Sequence, residues 1–254
     1  MRRPRLIDVL ERRFAADPGP PVTSGTLSKY YRIAEDFVYR VPSTLSLEET
    51  VLVEPTSVAV HAVKLGDVRP GETVVVMGSG TIGLLVASVA KSFGAHRIII
   101  VDILERKLEF AESFLGCETF TASTSTTPEE NAKALLQSAR LEEVDTVIEC
   151  SGAASSVETG IYVLRGGGKY VQTGIGRPKI EFPMTVMSEK ELMVRGCFRY
   201  SSGDYELAVS LIAKGMIDVK PMIFSSTDFE RATEAWEKTA RGEGIKNLIR
   251  GVQD

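Results

Sequence analysis

The stretch Thr73-Val74-Val75-Val76-Met77-Gly78-Ser79-Gly80-Thr81-Ile82-Gly83 decides the reading of this sequence. A short run of strand character enters three glycines spaced G-x-G-x-x-G, and a helix-like segment from Ile82 to Phe93 follows. Arg97-Ile98-Ile99-Ile100-Val101-Asp102 then puts an acid 19 positions past the last glycine, at the end of a second apolar strand. Glycines at this spacing are a weak signal alone; the strand before, the helix after and the distant acid make a specific one. Gly78 permits the tight turn, Gly80 lets the backbone approach a pyrophosphate, and Gly83 lets the helix pack against the sheet. A pyrophosphate would rest on the helix N-terminus, where free N–H groups and the dipole favour negative charge. Asp102 would accept hydrogen bonds from a ribose, which points to NAD rather than NADP.

Outward from this core, strands and helices alternate. After Asp102 the pattern predicts a helix over 105–115, a strand over 118–122, a helix over 128–139 opened by Pro128, and a fourth strand from Val144 to Cys150. A helix over 155–164 closed by Gly166-Gly167-Gly168, a fifth strand over 169–173 and a sixth over 192–198 complete six strands. Such alternation implies a doubly wound α/β parallel sheet of the Rossmann type, with its ligand crevice at the carboxyl ends of strands one and four. Towards the amino terminus, residues 17–25 are rich in breakers, and residues 26–41 read as short extended segments. Ser46 and Glu49 form an S-x-x-E capping box opening a helix that stops before Pro55, and a second helix runs over 56–65. Beyond the sheet, residues 204–214 and 229–240 read as helices, the latter opened by a second capping box, Thr227 to Glu230. Residues 245–249 read as a last strand.

The composition narrows the function classes. The 254 residues are 43% apolar with a net charge of −4, which gives no general attraction to nucleic acid. No apolar run reaches the roughly 18 residues that cross a membrane. Cys117, Cys150 and Cys197 are few, scattered and odd in number, so the reading is a reducing, cytoplasmic setting with no disulfide framework. Residues 1–13 hold five arginines, but Asp8 and Glu11 interrupt them, which argues against a transit peptide.

From about Phe14 onward the chain resembles zinc-dependent medium-chain dehydrogenases, specifically the polyol branch of sorbitol and xylitol dehydrogenases (D-xylulose reductases). The phrases that carry this are residues 25–31 (GTLSKYY), 53–58 (VEPTSV), the glycine turn, 149–153 (ECSGA), 160–162 (GIY) and 198–205 (FRYSSGDY). The resemblance implies NAD-dependent oxidation of a polyol, xylitol to D-xylulose or sorbitol to fructose, and a homo-oligomer, dimer or tetramer. It places Glu54, Arg199 and Tyr200 at the substrate. It places Gly78, Gly80, Ile82, Gly83, Asp102, Lys107, Thr173, Gly174, Ile175, Cys197, Phe198 and Arg199 at the cofactor.

One departure from the family matters. Family members carry a long N-terminal catalytic domain of the GroES-like type whose cysteine, histidine and glutamate hold zinc, and the resemblance implies that this chain lacks most of it. Only His61 and His96 occur here, with no cysteine near either in sequence, so no zinc ligand set is expected. The expected organisation is residues 1–45 as a tail and catalytic-domain remnant, 46–200 as the NAD-binding domain, and 201–254 as helices and a strand completing the catalytic domain. Two readings follow: a polyol dehydrogenase chain that does not turn over as it stands, or a non-catalytic NAD(H)-binding or assembly module. A zinc-free quinone reductase fits less well, since those usually take NADPH and lack the Phe198-Arg199-Tyr200 phrase.

Overall fold

The structure, a computed structural model, describes residues 27–33 and 35–252, and the chain divides into two compact units. One spans Pro55–Arg199; the other joins the segment ending at Glu54 to that beginning at Tyr200. The breaks therefore fall at 54/55 and 199/200, against the 45/46 and 200/201 expected. The basic N-terminal stretch lies outside the described residues.

In chain order the elements begin with α1 (Leu47–Thr50), opened by the expected capping box: Ser46 accepts from Glu49 N, and Glu49 Oε2 accepts from Ser46 N at 3.0 Å. α1 ends at Thr50, and Pro55 sits in the first turn of α2 (Val53–Leu65) rather than after a helix. The missing N–H of a proline costs nothing there, because first-turn amides have no intrahelical acceptor. Within 26–41 the described residues hold one 3-10 turn, Glu35–Phe37, and no strand.

The six-stranded sheet is built from β1 (Thr73–Met77), β2 (Arg97–Asp102), β3 (Glu118–Thr121), β4 (Val144–Glu149), β5 (Leu164–Gln172) and β6 (Met193–Gly196). All pairs are parallel, in the order β3-β2-β1-β4-β5-β6. β1 is buried throughout, as a central strand covered on both faces must be. Its covering helices include α3 (Thr81–Ser92), with α4 (Glu105–Leu115), α5 (Pro128–Ala139) and α6 (Ala154–Val163) closing the other crossovers. Thr127 and Glu130 cap α5 reciprocally, with Pro128 at its first position.

One boundary differs from the sequence reading. Gly166–Gly168 do not close α6; they lie within β5, which starts at Leu164 directly after the helix. The register passes from Val144↔Leu164 to Thr146↔Lys169, so the glycines bulge out while both flanks keep their pairing. Gly167 takes a φ of +67°, which a residue without Cβ adopts at little cost.

The second unit carries α8 (Asp204–Ala213), β7 (Ile223–Thr227), α9 (Ala232–Ala240) and β8 (Lys246–Ile249), α7 (Met184–Glu189) belonging to the sheet unit. β7 was not foreseen; it pairs in parallel with β8 across α9. Thr227 therefore ends a strand, paired with Ile249, instead of capping a helix, and Asp228 makes no side-chain cap bond.

Candidate functional site

The register of the sheet gathers the carboxyl ends of its central strands on one line. Met77 pairs with Val101 and Glu149, Glu149 with Gln172, and Gln172 with Gly196. The ladder continues one residue further: Gly78 N donates to Val101 O, Cys150 N to Met77 O, Thr173 N to Glu149 O and Cys197 N to Gln172 O, at 2.6–2.8 Å. Gly78, Thr173 and Cys197 thus share one edge, at the point where β1 and β4 diverge and a doubly wound sheet opens its crevice.

On the β1 side, Gly78 turns with φ +101° and Gly80 caps α3 without any side-chain bond. The amides of the first turn then lack a capping side chain, the setting in which an anion binds a helix N-terminus. A Cβ on Gly83 would overlap Gly78 O, whereas one on Gly80 would meet nothing within 4 Å. Gly83 is needed by the protein's own packing; the room beside Gly80 is what a close-approaching ligand requires. Gly83→Ala is therefore expected to cost about 1–3 kcal/mol of stability by overpacking, with Gly80→Ala nearly neutral in the same thermal melts. Equal melting of Gly83→Ala and the parent would refute the packing argument.

Asp102 ends β2 with its carboxylate held in place: Oδ2 accepts from Ser79 N at 2.8 Å and Ser79 Oγ at 2.9 Å, and Oδ1 from Leu104 N at 3.0 Å. Ile82 lies in the first turn of α3, and Lys107, half-buried, in the first turn of α4. On the β5 side the Thr173 hydroxyl is buried and unpartnered among the described residues, an orphan polar atom facing the question of what it bonds. Gly174 and the exposed Ile175 follow it. Past β6, Cys197 is half-buried, and Arg199, at φ +54°, sets its guanidinium 5.4 Å from the centre of the Phe198 ring.

Open room at Gly80, uncapped amides, an acceptor-only carboxylate at Asp102 and an orphan hydroxyl at Thr173 together fit a dinucleotide. The profile of the zinc-binding dehydrogenase family matches residues 81–214, just over half of the chain. The chain belongs to that family. D-xylulose reductase A of Aspergillus niger is 46% identical over 232 residues, covering 91% of this chain and 65% of its own length. This zinc-binding dehydrogenase chain thus spans about two thirds of the relatives it matches. L-idonate 5-dehydrogenase of Escherichia coli superposes with a TM-score of 0.72 at 30% identity, over 82% of this chain and 58% of its own. A zinc-binding dehydrogenase homologue from Sinorhizobium meliloti, solved bound to NADP, gives 0.72 at 26% identity, over 83% and 61%. The sheet topology and these neighbours bear out the doubly wound Rossmann fold expected from sequence.

In the second unit Glu54 stands exposed in the first turn of α2, and Tyr200 precedes α8. Tyr205 joins them: its ring stacks on Tyr39 at 4.6 Å and meets Tyr200 edge-on at 4.7 Å. Burial pushes the Tyr205 phenol well above its ordinary range, with Tyr200 and the Glu54 charge adding to it. Sequence reading assigns roles to Glu54 and Tyr200 but none to Tyr205, although it closes the quoted 198–205 phrase, or to Tyr39, which lies far off in the chain. Arg199 ends the sheet unit.

Among the described residues no three of His, Cys, Asp and Glu converge as metal ligands. Burial raises the Cys117 thiol to about 11 and lifts that of Cys150 well above its usual value, so both stay protonated near neutral pH. Thiols held in that state act as small packed residues. No helix among the described residues is long and apolar enough to cross a membrane.

Proposed function

We propose that this chain is the coenzyme-binding part of an NAD-dependent polyol dehydrogenase acting on xylitol or sorbitol. The observation that carries the reading is the Gly80 cradle beside the pinned Asp102 carboxylate, at the divergence of β1 and β4. The substrate class rests on the D-xylulose reductases among its relatives. When bound, NAD would supply the hydride acceptor. The remaining work falls to the chain. Gly78 makes the turn, and the amides after Gly80, including those of Ile82 and Gly83, hold the pyrophosphate by the helix N-terminus. Asp102 accepts from the adenosine ribose, with Lys107 nearby in sequence on α4. Thr173, Gly174, Ile175, Cys197, Phe198 and Arg199 bound the nicotinamide half. Glu54 and Tyr200 of the second unit are polyol contacts, with Tyr205 packed on Tyr200 and stacked on Tyr39; Arg199, at the end of the sheet unit, is assigned a polyol contact by the resemblance alone.

Among the described residues no set of His, Cys, Asp and Glu converges as zinc ligands. That observation also supports a second reading, a non-catalytic NAD(H)-binding or assembly module. For either reading we propose residues 46–200, which take in the sheet unit Pro55–Arg199, as the coenzyme domain, a homo-oligomer, and a cytoplasmic setting consistent with three free thiols. Titration calorimetry tests the cofactor assignment: NAD should bind at one site per chain, at least about tenfold tighter than NADP. Equal affinities would overturn the NAD assignment, and no binding of either would overturn the dinucleotide reading.

A further inference from the structure

The loops that follow β4 and β5 are tied to one buried carboxylate. Glu149, the last residue of β4, is fully buried. Its Oε1 accepts from Ser151 N at 2.8 Å, Gly152 N at 3.0 Å, Ser156 Oγ at 3.1 Å and the Ser151 hydroxyl. Its Oε2 accepts from Gly152 N at 2.9 Å and Gln172 Nε2 at 2.8 Å. Gln172 in turn donates to Gly174 O at 2.8 Å and accepts from the Tyr170 hydroxyl at 2.6 Å.

A buried carboxylate persists only when donors fill its lone pairs, and an ionised one offers acceptors alone. Here almost every donor belongs to the segment just after β4 or is Gln172, the residue that steers Gly174. The two loops also meet backbone to backbone. Gly152 has φ +74°, a Cβ there would lie 2.6 Å from Ile175 O, and one on Gly174 would lie 2.6 Å from Glu149 Oε2. The carboxylate thus holds the loop after β4 directly and the loop after β5 through Gln172, and neither glycine has slack.

The glycine turn and Asp102 occupy the β1–β2 half of the sheet, where a doubly wound fold takes the adenosine and pyrophosphate; the β4–β6 half faces the other nucleotide. Thr173, with its orphan hydroxyl, stands between Gln172 and Gly174. We infer that Glu149 is a positioning residue for the nicotinamide end of the cofactor, fixing loops 150–153 and 173–176 in register without touching the cofactor itself. This rests on the dinucleotide reading above.

The test compares NADH with ADP-ribose, which keeps the adenosine and pyrophosphate but lacks the nicotinamide, by calorimetry on the whole chain. Glu149→Gln turns one acceptor into a donor facing other donors, and NADH affinity should fall roughly tenfold or more. ADP-ribose affinity should stay within about twofold, which also reports an intact β1–β2 half. Gly174→Ala should reproduce this pattern. Unchanged NADH affinity in Glu149→Gln, or equal losses for both ligands, would overturn it. Absence of binding of either ligand to the unmutated chain would overturn the dinucleotide reading, and this inference with it.

Discussion

Joining a relative's zinc-ligand-bearing front segment ahead of Gly25 is expected to raise NADH formation from xylitol or sorbitol by roughly a thousandfold or more over the chain by itself. Positioning a nicotinamide needs the crevice at the β1–β4 divergence, whose elements are all present. Stabilising the negative charge that develops on the alcohol oxygen needs a group that the described residues do not assemble. Such stabilisation typically contributes several kcal/mol, and each 1.36 kcal/mol is tenfold in rate. Glu54, Tyr200 and Arg199, proposed above as polyol contacts, would not replace that term. The assay measures NADH with both polyols, with and without added zinc, for chain and fusion side by side, with elemental analysis of each. Robust turnover by the chain alone would sink this account, and an inactive fusion that is folded and binds NAD would favour the non-catalytic module.

Replacing Asp102 with serine should collapse a preference of about a hundredfold for NAD over NADP. The carboxylate would gain charge-assisted bonds from ribose hydroxyls, roughly 1.5–3 kcal/mol each. It would also repel a 2′-phosphate by about 4 kcal/mol for unit charges 4 Å apart at an effective dielectric of 20. Half the sum is about 3 kcal/mol, two decades in affinity. The structure sharpens the expectation, because Ser79 and Leu104 already hold the carboxylate with three hydrogen bonds, so little side-chain entropy remains to be lost on binding. Those same bonds tie the glycine turn to β2, so Asp102→Ser will also lower affinity for both cofactors. The ratio, not either affinity, is the readout; Lys107, placed at the cofactor by the resemblance, would offset part of the repulsion. A ratio unchanged by the substitution would remove Asp102 from cofactor selection.

The sheet was legible because its determinants are local. A run such as Thr73–Met77 has one stable fate, a central parallel strand, and the glycine spacing states where the chain must turn and where a helix must approach it. The expected spans of β1, β2, α4 and α5 match the observed ones, and the Ser46 capping box forms because both its partners lie within one turn. What sequence alone misplaced depended on partners distant in the chain. Thr227 has the same local pattern as Ser46, but pairing with Ile249 draws it into β7. The Gly166–Gly168 tract reads as a helix stop, yet β4 recruits Leu164 on one side and Lys169 on the other, leaving the glycines to bulge. Glu149 was visible only as a letter in a phrase. Its role as the acceptor shared by two loops depends on residues up to 23 positions away, and on a register that no local pattern records. The sequence by itself determined the dinucleotide turn, the acid that faces it and the alternation of the sheet, because those are set by neighbours in the chain. Which strands lie side by side, and so which loops share Glu149 and which tyrosines gather around Tyr205, was decided by tertiary packing alone.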